Sequence, residues 1–382
     1  DYNSDIYILD YVNGYFIAQT DRNSPFKRVI KIDPKNPNEK YWVTLLSGTK
    51  DTVISNVKLV GGKLLVHFTK DVLSLWKAYD LNGNYLYNVD LPGKGIVNGF
   101  NGRNDQYLTW YSFNNSVNPT TIYQYDVENN ISSIYKKSQA KFNYDEYVMR
   151  QEFYISKDGT VIPIFLAHKK DLIMDGNRPT LLYGYGGFDI SILPSFRERY
   201  LAWMKMGGIL AVPNLRGGGE YGPRWHQAAL KDKRHRAYED FSAIGEDLVR
   251  RGVTTPKRLG IQGGSNGGLL MGGMLNQRPD LWNAVVVQVP LLDMLRYHLL
   301  LAGASWVDEY GSPDVPEERE FLKNISPYHN FNSEKEYPVP FFVTSTKDDR
   351  VHPGHARKLA KRFQEAGLPF YYYENIDGGH SA

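Results

Sequence analysis

Up to about residue 145 the chain alternates short apolar runs with polar turns, and apolar residues do not recur there at the three-to-four spacing of an amphipathic helix. This pattern predicts an all-β region built of strands such as Leu64-Leu65-Val66-His67-Phe68. A unit recurs within it: Val29-Ile30-Lys31-Ile32-Asp33, then Leu75-Trp76-Lys77-Ala78-Tyr79-Asp80, then Ile122-Tyr123-Gln124-Tyr125-Asp126. Turn chemistry follows each copy, as Pro34-Lys35-Asn36-Pro37, Asn82-Gly83-Asn84 and Glu128-Asn129-Asn130. The three aspartates stand 47 and 46 positions apart. A period in the forties with about four strands per unit is the pattern of propeller blades; three similar hairpins of a β-sandwich are the alternative. Three blades do not close a ring, so further blades are expected upstream of Asp1.

From about Gln151 the pattern changes. Short continuous apolar runs, Val161–Ala167, Thr180–Tyr183 and Gly208–Pro213, suit strands buried on both faces. Helical periodicity over Tyr238–Arg251 leads into Arg258-Leu259-Gly260-Ile261-Gln262, and Leu269–Asn276 leads into Ala284–Val287. After Val339–Thr344 comes the helix predicted over His355–Ala366, then the run Pro369–Tyr373. Alternating strand and helix predict a mainly parallel, doubly wound sheet. The expected division is therefore a partial propeller over residues 1–145 and an α/β domain over 146–382.

Composition narrows the chemistry. Forty-five Lys and Arg against 42 Asp and Glu leave a net charge of +3 with no block of like charge, which gives no reason to expect nucleic acid or an anionic membrane as partner. No apolar run approaches the ~20 residues that span a bilayer. The absence of cysteine removes disulfides, thiolate metal sites and a cysteine nucleophile, and no ligand cluster supports a metal or organic cofactor. The first residues do not form a signal peptide, and the chain stops just after a strand-like run with no closing helix, so both ends look cut. With any leader lying upstream of Asp1, cytoplasm and periplasm are both open as compartments, and a monomer is expected.

Gly263-Gly264-Ser265-Asn266-Gly267 fits G-x-S-x-G between an apolar strand and an apolar helix. Such a strand-to-helix turn strains the serine backbone, tolerates only small neighbours two residues either side, and holds the hydroxyl above the sheet. The Asn266 amide then points where an oxyanion would form, at a helix N-terminus. A serine hydrolase of the α/β-hydrolase type is the reading, with Ser265 as nucleophile. The chain order Ser, acid, His places the acid after a late strand, where Asp348 and Asp349 are both candidates, and an Asx turn is the alternative role for Asp349. Of nine histidines, only His380 lies in a Gly-flanked loop after the last strand; His352 and His355 read as surface or cap residues opening a helix. Gly184-Tyr185-Gly186-Gly187-Phe188 follows an early strand, where hydrolases complete their oxyanion hole, so Tyr185 is either a hydroxyl donor or an aromatic packed in a turn.

These stretches, with Asn214-Leu215-Arg216-Gly217-Gly218-Gly219-Glu220-Tyr221-Gly222, Asn276–Asp280 and Asp348-Asp349-Arg350-Val351, resemble the prolyl oligopeptidases over essentially the whole chain. The resemblance implies a seven-bladed propeller capping an α/β-hydrolase domain, with the active site in the cavity between them. Carried over by position, it implies the triad Ser265, Asp348 and His380, and the oxyanion donors Asn266 and Tyr185. It further implies that Arg350 holds a substrate carbonyl, and that Trp306 stacks on a substrate proline in a pocket shared with Phe188, Tyr310 and Val351. The implied activity is cleavage of short proline-containing peptides after proline. Asp308 and Glu309 beside Trp306 keep open a preference for a basic residue; an esterase, or a propeller binding protein with a vestigial triad, are the more distant readings. Near the chain end His380 is expected to be poorly held, and the chain as written to be weakly active or inactive.

Overall fold

The computed structural model describes residues 4–50, 52–139 and 142–381. The chain forms two compact units: residues 1–145 with 193–198 and 220–223, and residues 146–192, 199–219 and 224–382.

The first unit holds three four-stranded antiparallel sheets, each a simple meander. They are β1–β4 (Ile6–Val12, Tyr15–Thr20, Arg28–Ile32, Val43–Ser47), β5–β8 (Val53–Val60, Lys63–Lys70, Leu73–Tyr79, Tyr85–Asn88) and β9–β12 (Ile96–Gly99, Leu108–Asn114, Thr121–Asp126, Ile131–Lys136). The recurring aspartates fall at the corner between third and fourth strand in all three. Asp33 Oδ1 accepts the amide of Lys35 at 2.8 Å, Asp80 Oδ1 those of Asn82 and Asn84 at 2.9 and 2.8 Å, and Asp126 Oδ1 those of Glu128 and Asn129 at 2.9 and 3.0 Å. The period seen in the sequence is thus the spacing of Asx turns, in which a short carboxylate templates the corner. Apolar residues fill the spaces between successive sheets: Ile17 and Val29 pack with Ile54, Leu64 and Val66, while Trp76 and Leu65 pack with Phe100, Tyr111 and Tyr125.

The second unit is built on one eight-stranded sheet in the order β13-β14-β16-β15-β17-β18-β19-β20. Its strands are Tyr147–Ile155, Val161–Lys169, Thr180–Tyr183, Ile209–Pro213, Leu259–Gly264, Ala284–Gln288, Val339–Ser345 and Tyr371–Asn375, numbered β13 to β20 along the chain. All pairings from β16 through β20 are parallel, and β14 runs antiparallel to both of its neighbours. The five residues of β16 are all buried, as the continuous apolar run predicted for a strand covered on both faces. Strand β13 was not anticipated; it pairs along its whole length with β14 but is mostly part-exposed, so its sequence lacks a continuous apolar run.

Helices lie where periodicity placed them, with ends moved by a turn or less: His235–Arg250, Asn266–Gln277 and Gly354–Glu365. Residues 266–276 of the second are all buried, which fits its lack of a polar face. No helix among the described residues is long and apolar enough to cross a membrane.

Candidate active site

Strand β17 delivers the chain to Ser265, whose φ of 58° and ψ of −117° lie outside the regions comfortable for an L-residue, and the helix Asn266–Gln277 starts at the next position. Such a backbone costs about 1–3 kcal/mol and survives only where surrounding contacts fix it. Here the Ser265 amide donates to Gln288 O of β18 at 2.9 Å, and its carbonyl accepts from Leu269 at 3.1 Å. The two glycines of the motif have a steric cause. A Cβ on Gly267 would sit 2.4 Å from the carbonyl oxygen of Gly184, and one on Gly263 would sit 2.7 Å from the same atom and 2.5 Å from Gly267 O. Their absent side chains let the loop after β15 pass directly against the elbow, which brings Tyr185 beside it.

The parallel register puts the remaining groups on the same edge of the sheet. Gly264 aligns with Gln288, Gln288 with Val343, and Ser345 with Asn375, so the loops after β17, β19 and β20 leave from one side. Asp348 lies in the loop after β19. Its Oδ1 accepts the amides of Arg350 and Val351, both at 2.9 Å, and its carboxylate receives His380 Nδ1 at 2.8 Å to Oδ2 and 3.0 Å to Oδ1. The Asp348 side chain is fully buried and that of His380 11% exposed. Burial pushes the Asp348 carboxyl up, yet the bonds from His380 and the two amides together hold it below the ordinary carboxylate range. With Nδ1 bound to the carboxylate, Nε2 is the ring nitrogen left to accept a proton. The base loop is closed by Ser345, whose buried hydroxyl bonds Asn375 O at 3.1 Å and also meets Gly378 O.

Asp349 is exposed, one residue from the pairing, and the Asx turn offered for it in the sequence is made by Asp348. His352 lies just ahead of the following helix, its Nδ1 accepting the amide of the first helical residue, Gly354, at 2.9 Å, while Pro353 holds the cap position itself. His355 corrects the sequence reading: it is buried rather than superficial, and its Nδ1 faces the amides of Asp293 and Leu292 at 3.1 and 3.3 Å. Desolvation lowers it to about 4, so it stays neutral and accepts those donors.

On the oxyanion side, the Asn266 side chain is buried and fastened: Nδ2 donates to Tyr185 O at 2.6 Å, and Oδ1 accepts from the Tyr310 hydroxyl at 2.8 Å. Tyr185 is half-buried. Desolvation is the main cause pushing its phenol up to about 12, against the nearby positive charge of Arg350, so at neutral pH it is a hydroxyl donor. Arg350 itself is exposed. Phe188 meets Trp306 and Tyr310 edge-on, with ring centroids 6.5 and 5.5 Å apart. Trp306 and Val351 are nearly buried, and Tyr310 fully so, behind Phe188 and against Asn266.

Sequence reasoning missed one group. Glu309, read as an acid beside the Trp306 pocket, is buried and spent internally: it pairs with the buried Arg234, accepts His226 Nε2 at 2.6 Å and accepts the Phe188 amide at 2.9 Å. Burial raises the Glu309 carboxyl, but His226, Arg234 and the amide hold it below its usual range. The partners lie 75 and 83 positions away in the chain, so no local pattern announces them. Among the described residues, no group of three or more His, Asp or Glu is placed to hold a metal ion.

Residues 194–382 match the family model described as the prolyl oligopeptidase family, and residues 1–138 match that of its N-terminal beta-propeller domain. The chain belongs to the prolyl oligopeptidase family. Among relatives in that family, a prolyl endopeptidase of Elizabethkingia miricola is 40% identical over 364 residues, 95% of this chain and 51% of that protein. An uncharacterised peptidase of Sinorhizobium fredii is 44% identical over 347 residues, 91% of this chain and 47% of its own length. Among solved structures, one from a study of two prolyl endopeptidases superposes with a TM-score of 0.92 at 40% identity, covering 100% of this chain and 57% of that one. The chain thus spans about half the length of the curated relatives it matches. Its two parts answer to the propeller and α/β-hydrolase architecture of prolyl oligopeptidases.

Proposed function

We propose that this protein is a serine endopeptidase that hydrolyses short peptides on the C-terminal side of proline. The observation that carries the reading is the buried Asp348–His380 pair, set on the same sheet edge as the strained Ser265 elbow. In the proposed cycle, His380 Nε2 takes the Ser265 hydroxyl proton as Oγ attacks the carbonyl carbon of the proline itself. Asp348 holds the Nδ1–H tautomer and stabilises the imidazolium. The oxyanion receives the Asn266 amide and the Tyr185 hydroxyl, the helix N-terminus adding to the field. The imidazolium then protonates the leaving amine as the C–N bond breaks, leaving an acyl-enzyme, and water deacylates it by the same proton route.

The proline preference is supported by the apolar corner that the perpendicular rings of Phe188 and Trp306 make, either face of which suits a pyrrolidine ring. The commitment of Glu309 to Arg234 and His226 speaks against a basic preference, since a carboxylate already neutralised by two partners offers little to a substrate cation. Arg350, a fixed cation, is proposed to hold the substrate carbonyl preceding the proline. Substrates are proposed to be short proline-containing peptides, and the enzyme to act as a monomer away from membranes.

The test compares three substrates differing in one feature: a proline-terminated chromogenic amide, the same amide ending in arginine, and a short acyl ester. Preferential cleavage of the proline amide, with Ser265→Ala abolishing both turnover and labelling by a fluorophosphonate, is the expected result. Faster cleavage of the arginine amide, or of the ester alone, would overturn the specificity.

A further inference from the structure

The turn that carries Tyr185 is strained and is held from behind. Phe188 and Asp189 have φ of 59° and 56°, left-handed values that a bulky aromatic residue adopts only under constraint. Three side chains supply that constraint. Asn266 Nδ2 donates to the Tyr185 carbonyl at 2.6 Å, Arg234 Nη1 donates to the Gly186 carbonyl at 2.8 Å, and Glu309 Oε1 accepts the Phe188 amide at 2.9 Å. Arg234 and Glu309 are bonded to each other and buried to 2% and 6% exposure, so each fixes where the other can stand. The Arg234 guanidinium lies over the Tyr310 ring, 4.9 Å from its centroid, which leaves the group little freedom to relax. A Cβ on Gly187 would come within 2.5 Å of Asn266 Nδ2 and 2.8 Å of Arg234 Nη1, so the loop lies flat against the two side chains.

We infer that Arg234 and Glu309 form a buried clamp that holds the turn Gly186–Phe188 and so sets the position of the Tyr185 hydroxyl, with Glu309 as a positioning residue for the oxyanion hole. The inference rests on the reading of Tyr185 as an oxyanion donor. The carboxylate touches no reacting atom; it acts through the Phe188 amide. Because Phe188 also faces Trp306, one carboxylate links the oxyanion loop to the aromatic corner. A small displacement of a positioned donor costs far more in rate than in binding, since a donor's contribution is largest in the transition state.

The experiment uses the full chain with Glu309→Gln, which keeps the shape and one acceptor oxygen but loses the charge that retains Arg234. The expected result is a fall in kcat of about tenfold with KM nearly unchanged. In the Tyr185→Phe background, where the hydroxyl is already gone, the same substitution should change kcat by less than about twofold. Full additivity of the two substitutions would overturn the inference, as would an unchanged kcat in Glu309→Gln. Amide hydrogen exchange gives a readout independent of turnover: residues 186–189 should lose protection in Glu309→Gln while the β17–β19 strands keep theirs. Faster exchange throughout the second unit would mean a general stabilising role and would overturn positioning. If the parent is labelled by a fluorophosphonate yet spares proline amides, the specificity reading fails alone, and the labelling rate replaces kcat in the same cycle.

Discussion

The two halves of the proposed catalytic machinery stand on one sheet but are held in different ways. The nucleophile and oxyanion side is over-determined: Ser265 is fixed by main-chain bonds to β18 and its own helix, Gly263 and Gly267 admit a neighbouring loop at contact distance, and three side chains grip the Tyr185 turn. The base side has no comparable backbone strain and is held by short polar side chains, Asn375 Oδ1 accepting the Asp377 and Gly378 amides at 3.1 and 3.3 Å. His380 is oriented by the carboxylate of Asp348, and the loop that carries it is closed by the hydroxyl of Ser345. The difference teaches where strain can be stored: the half with an unfavourable backbone is gripped by buried side chains from distant segments, while the half proposed to move a proton joins the Asp348–His380 pair to local bonds from Ser345 and Asn375.

That comparison can be broken at the pair first. Asp348→Asn keeps an oxygen for the Arg350 and Val351 amides, so the loop should survive, but the tautomer of His380 is no longer enforced. A drop in kcat of about 10⁴ is expected, measured on a proline amide. A loss below tenfold would show that the base is oriented by something else. Folded Asp348 titrates below its usual range, so its contribution to stability is present above about pH 4 and is lost as pH falls through the depressed value; the Asn variant should lack that acid loss.

Next in size is Tyr185→Phe, which should lower kcat by roughly 10²–10³ with KM little changed; an unchanged kcat would remove the phenol from the oxyanion hole. Ser345→Ala probes the asymmetry directly. Losing this hydroxyl, which meets Asn375 O and Gly378 O, should cost about tenfold in kcat through misplacement of His380. Equal activity in the variant would mean that the base loop is fastened as redundantly as the elbow.

The smallest effect concerns pH. The bond from Glu309 raises His226 above its usual range, so the pair stabilises the fold fully below about pH 6.5 and the benefit is lost as pH rises through the raised value. His226→Gln should flatten this alkaline loss, seen as a difference of about 2 °C or less in melting temperature between neutral and mildly alkaline buffer. Parallel melting curves for parent and variant across that range would show that His226 does not titrate against Glu309.

Much of this was legible because it is local. The elbow is a five-residue turn whose glycines announce it, and each blade corner repeats an aspartate two or three residues before an Asn. The choice between Asp348 and Asp349 was not readable from the residues alone. Both follow β19, and only the path of the turn buries one against the amides of Arg350 and Val351 and leaves the other in solvent. Glu309 was misplaced for a related reason: a carboxylate next to a pocket tryptophan looks available until an arginine and a histidine from distant segments are folded onto it. Strand β13 escaped notice because edge pairing with β14 needs backbone, not an apolar run.

The aspartate corners of the first unit carry a consequence for how such a region can change over evolutionary time. Each four-stranded sheet encodes its own bend with a side chain that bonds amides within four residues, so the instruction travels with the segment. A duplicated or transplanted stretch of that length arrives with its geometry already specified and needs from its new neighbours only an apolar face to lie against.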